Sequence, residues 1–216
     1  MIITIDGPSG AGKTTVSLVL AKRLNYRHID TGALYRGVAY EALAAGVDPD
    51  DEPELERLCE SLELNFVNDG SRQLFFSGGL DITDHIRKHE ISMAASKFSA
   101  KPLVRKYLLE TQKNMAKKKR AVFEGRDMGT VVFPEADFKF FLTASGKARA
   151  LRRFRETSSN SGHTLAQIEK DMRLRDHNDS TRKIAPLEPA ENAILIDSSD
   201  LSVPDVIEIM LSHIKR

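Results

Sequence analysis

The chain has 216 residues, of which 41% are hydrophobic and 29% charged, and its net charge is +1. That length supports one large α/β domain with a sizeable core. The near-neutral balance gives no broad electrostatic case for nucleic-acid binding, and no apolar run approaches the roughly 18 residues needed to span a bilayer.

The chain opens on an apolar, β-branched run, 2–5, that ends at Asp6 and reads as a core strand. With such a start no signal peptide is expected. Gly7-Pro8-Ser9-Gly10-Ala11-Gly12-Lys13-Thr14-Thr15 follows and fits G-x-x-x-x-G-K-[ST] at every fixed position. Residues 14–24 then have helical spacing, with Val16, Val19, Leu20 and Leu24 on one face. The motif therefore lies between a buried strand and a helix, the context of a phosphate-binding loop (P-loop). Its glycines let backbone N–H groups turn inward toward an anion, and the helix N-terminus adds partial positive charge. Lys13 is expected to reach the outer phosphates and the Thr14 hydroxyl to ligate Mg²⁺. This establishes an NTP site and leaves kinase, GTPase switch and ATPase open.

A second short strand, 26–29, leads into Asp30-Thr31-Gly32-Ala33-Leu34-Tyr35-Arg36, where Asp30 or Thr31 can cap a helix running to about Ala45. A turn at 46–51 precedes a helix over 52–62 with Leu55, Leu58 and Leu62 inward. The lone cysteine, Cys59, reads as a core-facing residue of that helix; it excludes an internal disulfide and suits a reducing cytoplasm. Strands at 64–67 and 73–76 flank the hairpin signal Asn68-Asp69-Gly70-Ser71, with a further extended piece at 80–82. This β-rich stretch reads as an inserted subdomain or as an edge hairpin.

Residues 90–100 and 102–118 read as two helices, with Pro102 in the first turn of the second and the cations Lys117 to Arg120 at its end. His89-Glu90 begins like a zinc-protease H-E-x-x-H, but Met93 holds the second histidine's place, so no metal is expected there. A third core strand, 121–124, runs into Gly125-Arg126-Asp127-Met128-Gly129-Thr130, and a fourth covers 138–142. An arginine-dense helix, 146–157, is followed by the serine- and glycine-containing break 158–162, read either as a mobile lid or as a surface turn. Thr164 to Gln167 is a capping box that opens a helix carrying Arg173, Arg175, Asp176 and Asp179. A fifth strand, 193–197, and a last helix opened by the capping box Ser202 to Asp205 complete the chain.

Strands alternating with helices predict a five-stranded parallel sheet, α/β in class, with ligands at the carboxyl ends of the strands. The P-loop, 30–36, 125–130 and the segment after Leu142 all leave strands at that edge. Arg36, Arg126 and the arginines between 149 and 182 then suit two mutually repelling phosphate groups, because a guanidinium fork grips two oxygens at once.

Five stretches carry a closer resemblance: IDGPSGAGKTT at 5–15, DTGALYR at 30–36, AASKFSAKPLVR at 94–105, EGRDMGTVVFPEA at 124–136 and RLRDHNDSTRKIAPLEPA at 173–190. Together they resemble the bacterial cytidylate kinases, a nucleoside-monophosphate kinase family of P-loop NTPases that act in pyrimidine nucleotide metabolism. The resemblance implies a single P-loop kinase domain over 1–216, a small β-rich NMP-binding insertion at 63–100 and a short helical lid at 146–182. It implies ATP, CMP and dCMP as partners and Mg²⁺ as cofactor, in a cytoplasmic monomer that engages neither nucleic acid nor membrane. By the same resemblance Thr31 and Arg36 hold the CMP side, Ser96 and Arg105 contact the cytosine, and Arg126 and Asp127 contact the pyrimidine and its phosphate. Asp179 accepts the sugar hydroxyls, Arg182 bridges phosphates and Arg175 comes from the lid; with Lys13, the residues Arg126, Asp127, Arg175 and Arg182 form the expected catalytic set. Glu124 stands where many members carry Asp, so no part in Mg²⁺ or water positioning is assigned to it.

Two other classes fit less of the chain. A shikimate- or gluconate-type kinase shares the core and lid without needing the insertion. A GTPase-like switch calls for N-K-x-D, which neither Asn25-Tyr26 nor Asn114-Met115 supplies.

Overall fold

Short apolar runs alternating with helices produce the expected layered order. The computed structural model describes residues 1–69, 73–157 and 164–214. Its elements are β1 (Ile2–Asp6), α1 (Lys13–Leu24), β2 (Arg27–Asp30), α2 (Thr31–Ala45), α3 (Glu52–Ser61), β3 (Leu64–Asn68), β4 (Gln73–Ser77) and β5 (Leu80–Asp81). There follow α4 (His89–Phe98), α5 (Pro102–Ala116), β6 (Ala121–Gly125), β7 (Phe138–Thr143), α6 (Gly146–Thr157), α7 (Leu165–Thr181), β8 (Ile194–Asp197) and α8 (Val203–Ile214). The break at 158–162 lies outside the described residues, as does part of the hairpin turn at 68–71.

The chain divides into two compact units, one made of Met1–Asp30 and Ala116–Arg216, the other of Thr31–Met115. The first holds a five-stranded sheet in the order β2-β6-β1-β7-β8. All its pairings are parallel, and the register sets Asp6 beside Gly125, and Asp30 beside Glu124. The carboxyl ends of β2, β6 and β1 thus finish level, which brings the P-loop and the segment after Gly125 to one edge. Ile3, Ile5, Phe140 and Leu142 from the sheet pack with Val16 and Leu20 of α1 and with Val206 and Met210 of α8. Each is no more than 2% exposed. Burial on that scale contributes about 1.5–3 kcal/mol per large apolar side chain.

The second unit is built on α2, whose Leu34, Val38 and Ala42 are buried with Leu55 and Cys59 of α3, Phe98 of α4, and Val104 and Leu108 of α5. Burial pushes the Cys59 thiol up to about 11, so it behaves as an inert core residue. The three-stranded antiparallel sheet β3-β4-β5 belongs to this unit. Phe75 of β4 and Leu64 of β3 lie against Gly37 of α2, where an added Cβ would stand 2.7 Å from the Phe75 ring. The absence of a side chain at Gly37 lets the sheet seat directly on the helix.

Several boundaries differ from the sequence reading. Helix α2 starts at Thr31 immediately after β2, so Asp30, the last residue of the strand, directly precedes the helix. Helix α5 stops at Ala116, not 118, because Lys119 and Arg120 adopt left-handed backbone at φ 48° and 49°. The basic run therefore turns the chain into β6. Both capping boxes form as expected: Thr164 Oγ1 accepts from the Gln167 amide at 3.3 Å while Gln167 accepts from the Thr164 amide at 2.8 Å. Ser202 and Asp205 make the same reciprocal pair. No described helix is long and apolar enough to cross a membrane.

Candidate active site

The site in the first unit begins at the end of β1. Gly7 has φ 148°, and an added Cβ would lie 2.0 Å from the Leu142 carbonyl oxygen. Only glycine lets the P-loop leave the sheet so close to β7. Gly12, at φ 90°, is the left-handed N-cap of α1, a backbone conformation that glycine adopts without strain.

Lys13 is the first residue of α1, buried, with Nζ donating to the Pro8 carbonyl at 2.8 Å. Burial, reinforced by the nearby Arg126 guanidinium, lowers its pKa to about 7. An anion in the loop favours the ammonium, so binding draws the charge into place.

Asp6, the last residue of β1, is buried and its carboxyl is raised to about 6, chiefly by burial. Its two oxygens accept the Met128 and Gly129 amides at 2.9 and 2.8 Å. That pair of bonds opens a π-helical turn, Met128–Val132, directly after Arg126 and Asp127. Asp6 thereby fixes the backbone that presents those two side chains.

Arg126, Asp127, Asp179 and Arg182 form one cluster. Arg126 Nε donates to Asp179 Oδ2 at 2.9 Å. Arg182 donates through Nη2 to Asp127 Oδ1 at 3.5 Å and through Nε to the Ala185 carbonyl at 2.6 Å, while its Nη1 stands 4.0 Å from Asp179 Oδ1. Asp127 and Asp179 are buried, and the Arg182 side chain is only 8% exposed. Arg182 ends α7 with ψ 143°, so it turns off the helix axis just after Asp179.

A second cluster grips the P-loop from α6 and α7. The Asp176 carboxylate accepts the Ser9 amide at 3.1 Å and the Arg149 guanidinium at 2.5 Å, and the same guanidinium donates to the Ser9 carbonyl at 2.9 Å. A carboxylate thus takes up one of the P-loop amides. Arg152 donates to the Ala11 carbonyl at 3.4 Å and to Ser198 at the end of β8. Arg175 lies on α7, half-buried.

Glu124, one residue before the end of β6, accepts the Thr14 hydroxyl at 3.0 Å. His28 of β2 lies 2.9 Å from its other oxygen. Among the described residues no three His, Cys, Asp or Glu side chains are grouped to hold a metal.

The remaining expected residues lie in the second unit. Thr31 heads α2, with Arg36 one turn on. Ser96 lies on α4, and its buried hydroxyl has no hydrogen-bond partner among the described residues. Arg105 of α5 is buried, donates to the Ser99 carbonyl at 3.2 Å and stacks 5.6 Å over the Tyr35 ring.

Asp6, His28, Asp176 and Ser198 were not among the expected residues, and Arg149 and Arg152 were expected only as members of the arginine group between 149 and 182. The signals for Asp6 and His28 are the strand-end carboxylate before the P-loop and the polar residue inside a short strand; their partners, 122 and 96 positions away, are invisible without the register.

A parallel α/β sheet, a P-loop at its carboxyl edge and Arg126 near the P-loop lysine give the architecture of a P-loop kinase. A shikimate kinase from Bacteroides thetaiotaomicron superposes with a TM-score of 0.52 at 13% identity, covering 100% of this chain and 99% of the other. A gluconokinase from Sinorhizobium meliloti gives 0.50 at 13%, covering 97% and 89%. At that identity the likeness concerns the fold alone.

The family model of cytidylate kinase matches residues 3–216. The cytidylate kinase of Citrifermentans bemidjiense is 44% identical over 100% of this chain and 93% of its own. That of Halalkalibacterium halodurans is 41% identical over 100% and 98%. The chain belongs to the cytidylate kinase family.

Proposed function

We propose that this protein transfers the terminal phosphoryl group of ATP to CMP and dCMP, giving ADP and CDP or dCDP. The observation that carries this reading is the family match over nearly the whole chain, which takes in the P-loop and every base-side stretch. Residues Gly7, Pro8, Ser9, Gly10, Ala11, Gly12, Lys13, Thr14 and Thr15 hold the ATP phosphates. Thr31, Arg36, Ser96, Arg105, Arg126, Asp127, Asp179 and Arg182 bind CMP. In this reading 63–100 serves as the NMP-binding insertion and 146–182 as the lid of one kinase domain over 1–216. The protein works as a cytoplasmic monomer on free nucleotides.

The acceptor is a phosphate oxygen that is already ionised, so no general base is needed; positioning and charge neutralisation carry the reaction. Lys13 and Arg126 supply cations beside the transferring group, and Arg175 and Arg182 add to them. Arg126 and Arg182 are held by Asp179 and Asp127, so their forks are oriented before substrate arrives. The Thr14 hydroxyl and the carboxylate it bonds are hard oxygen donors, which suits Mg²⁺; that ion keeps several waters and takes few protein ligands. Thr14 would hold the metal together with phosphates and water, and when bound it neutralises charge on the phosphoryl oxygens.

Cytosine presents an amino donor beside two acceptors. Ser96 and Asp127 can accept, and Arg105 and Arg126 can donate. Uracil offers an oxygen where cytosine has the amino group, which leaves an acceptor unpaired at about 1–3 kcal/mol. The expected result is kcat/KM for UMP below that for CMP by about ten- to a hundredfold, with turnover dependent on Mg²⁺. A coupled ADP-release assay over a panel of monophosphates checks it, and equal values for CMP and UMP would remove the base-reading assignment.

A further inference from the structure

Strand β2 lies beside β6, with His28 level with Val122 and Asp30 level with Glu124. Alternate residues of a strand share a face, so His28 and Glu124 are diagonal neighbours on one side of the sheet. They touch there: His28 Nε2 is 2.9 Å from Glu124 Oε1, with the two side chains 7% and 3% exposed. The other oxygen, Oε2, accepts the hydroxyl proton of Thr14 at 3.0 Å. An ionised carboxylate can only accept, so the ring nitrogen is the donor. The three groups form a chain of hydrogen bonds from inside the sheet to the first turn of α1.

The chain has a direction. A threonine hydroxyl has one proton and two lone pairs. With its proton committed to Glu124, the lone pairs of Thr14 face away from the carboxylate. Glutamate has one more rotatable bond than aspartate, so its carboxylate is not aimed by the backbone alone. A donor at His28 removes that freedom at a cost already met by the rigid strand.

We infer that His28 is a positioning residue for the nucleotide-bound metal: it holds the Glu124 carboxylate so that the Thr14 hydroxyl presents lone pairs to the cation. This rests on the reading of the P-loop as a Mg²⁺-nucleotide site. It assigns no contact between His28 and the nucleotide.

Calorimetry with ADP, which has no acceptor to react with, separates the possibilities. In the unaltered protein Mg²⁺ should tighten ADP binding relative to EDTA. His28→Leu should reduce that gain by about tenfold, the scale found when groups that orient a metal ligand are removed. Metal-free ADP binding should stay unchanged. His28→Gln, whose amide can donate to the same oxygen, should restore most of the gain. In a Thr14→Ala background His28→Leu should add nothing. Should His28→Leu melt below the assay temperature, His28→Asn, polar but too short to reach Glu124, takes its place with the same expectation. The inference is overturned if His28→Leu leaves the Mg²⁺ gain intact, or if binding with and without Mg²⁺ falls in parallel. Absence of any gain in the unaltered protein would instead strike the metal reading of the P-loop itself.

Discussion

Replacing Lys13 by alanine is expected to abolish ATP:CMP phosphotransfer while leaving the fold intact. Loss of one preorganised charge at a transferring group typically costs about 10²–10³ in kcat. Lys13 stands to lose at least that, since it lies inside the loop with Nζ 2.8 Å from the Pro8 carbonyl. Stability should respond differently. Burial has already pulled its pKa down to about 7, so the folded protein bears a desolvation cost for the ammonium. Removing that group relieves the cost and forfeits one hydrogen bond to Pro8. The two effects oppose each other, and the melting temperature should move little. Coupled ADP release and thermal melting, measured on the same preparation, check both halves. Activity within tenfold of the unaltered protein would remove Lys13 from the mechanism.

The second large effect is expected at Arg182 and Asp179. They are three residues apart, yet they do not form an exposed helical ion pair, which would contribute only about 0–1 kcal/mol. Their side chains are 8% and 9% exposed and belong to a cluster of two arginines and two carboxylates. Arg182→Ala takes a cation from a buried site and leaves Asp127 without that partner. We expect kcat to fall by roughly 10²-fold or more if Arg182 stabilises the transferring phosphoryl group. Asp179→Ala should act mainly on CMP, raising its KM and weakening any preference over dCMP, because the sugar hydroxyl would lose its acceptor. Breaking a buried pair also destabilises, by about 3–5 kcal/mol. Kinetics are therefore compared at a temperature where melting shows each variant folded. Arg182→Lys adds a control: it keeps the charge without the fork that reaches both Asp127 and the Ala185 carbonyl. Wild-type kcat for Arg182→Ala with both nucleotides would leave the residue a purely structural role.

Sequence alone determined whatever a short span of chain encodes. The P-loop is legible because its glycines, lysine and threonine act on one another through consecutive backbone. The two capping boxes are legible because donor and acceptor are three residues apart. The five core strands show as apolar runs of the right length, and the parallel sheet follows from their alternation with helices. Exact stops were less legible. Helix α5 ends where Lys119 and Arg120 turn left-handed, and nothing in a basic run specifies that conformation, since the same residues would also suit a helix end.

The tertiary structure decided who meets whom. Strand β6 inserts between β1 and β2, and that order gives Asp6 the amides of Met128 and Gly129, and gives His28 the carboxylate of Glu124. The packing of α7 brings Asp179 to Arg126 across 53 positions and Asp176 to Ser9 across 167. Each of these contacts joins residues whose separation along the chain carries no periodic signal. Their partners are chosen by strand order and register, where a shift of one residue turns His28 or Glu124 to the opposite face of the sheet.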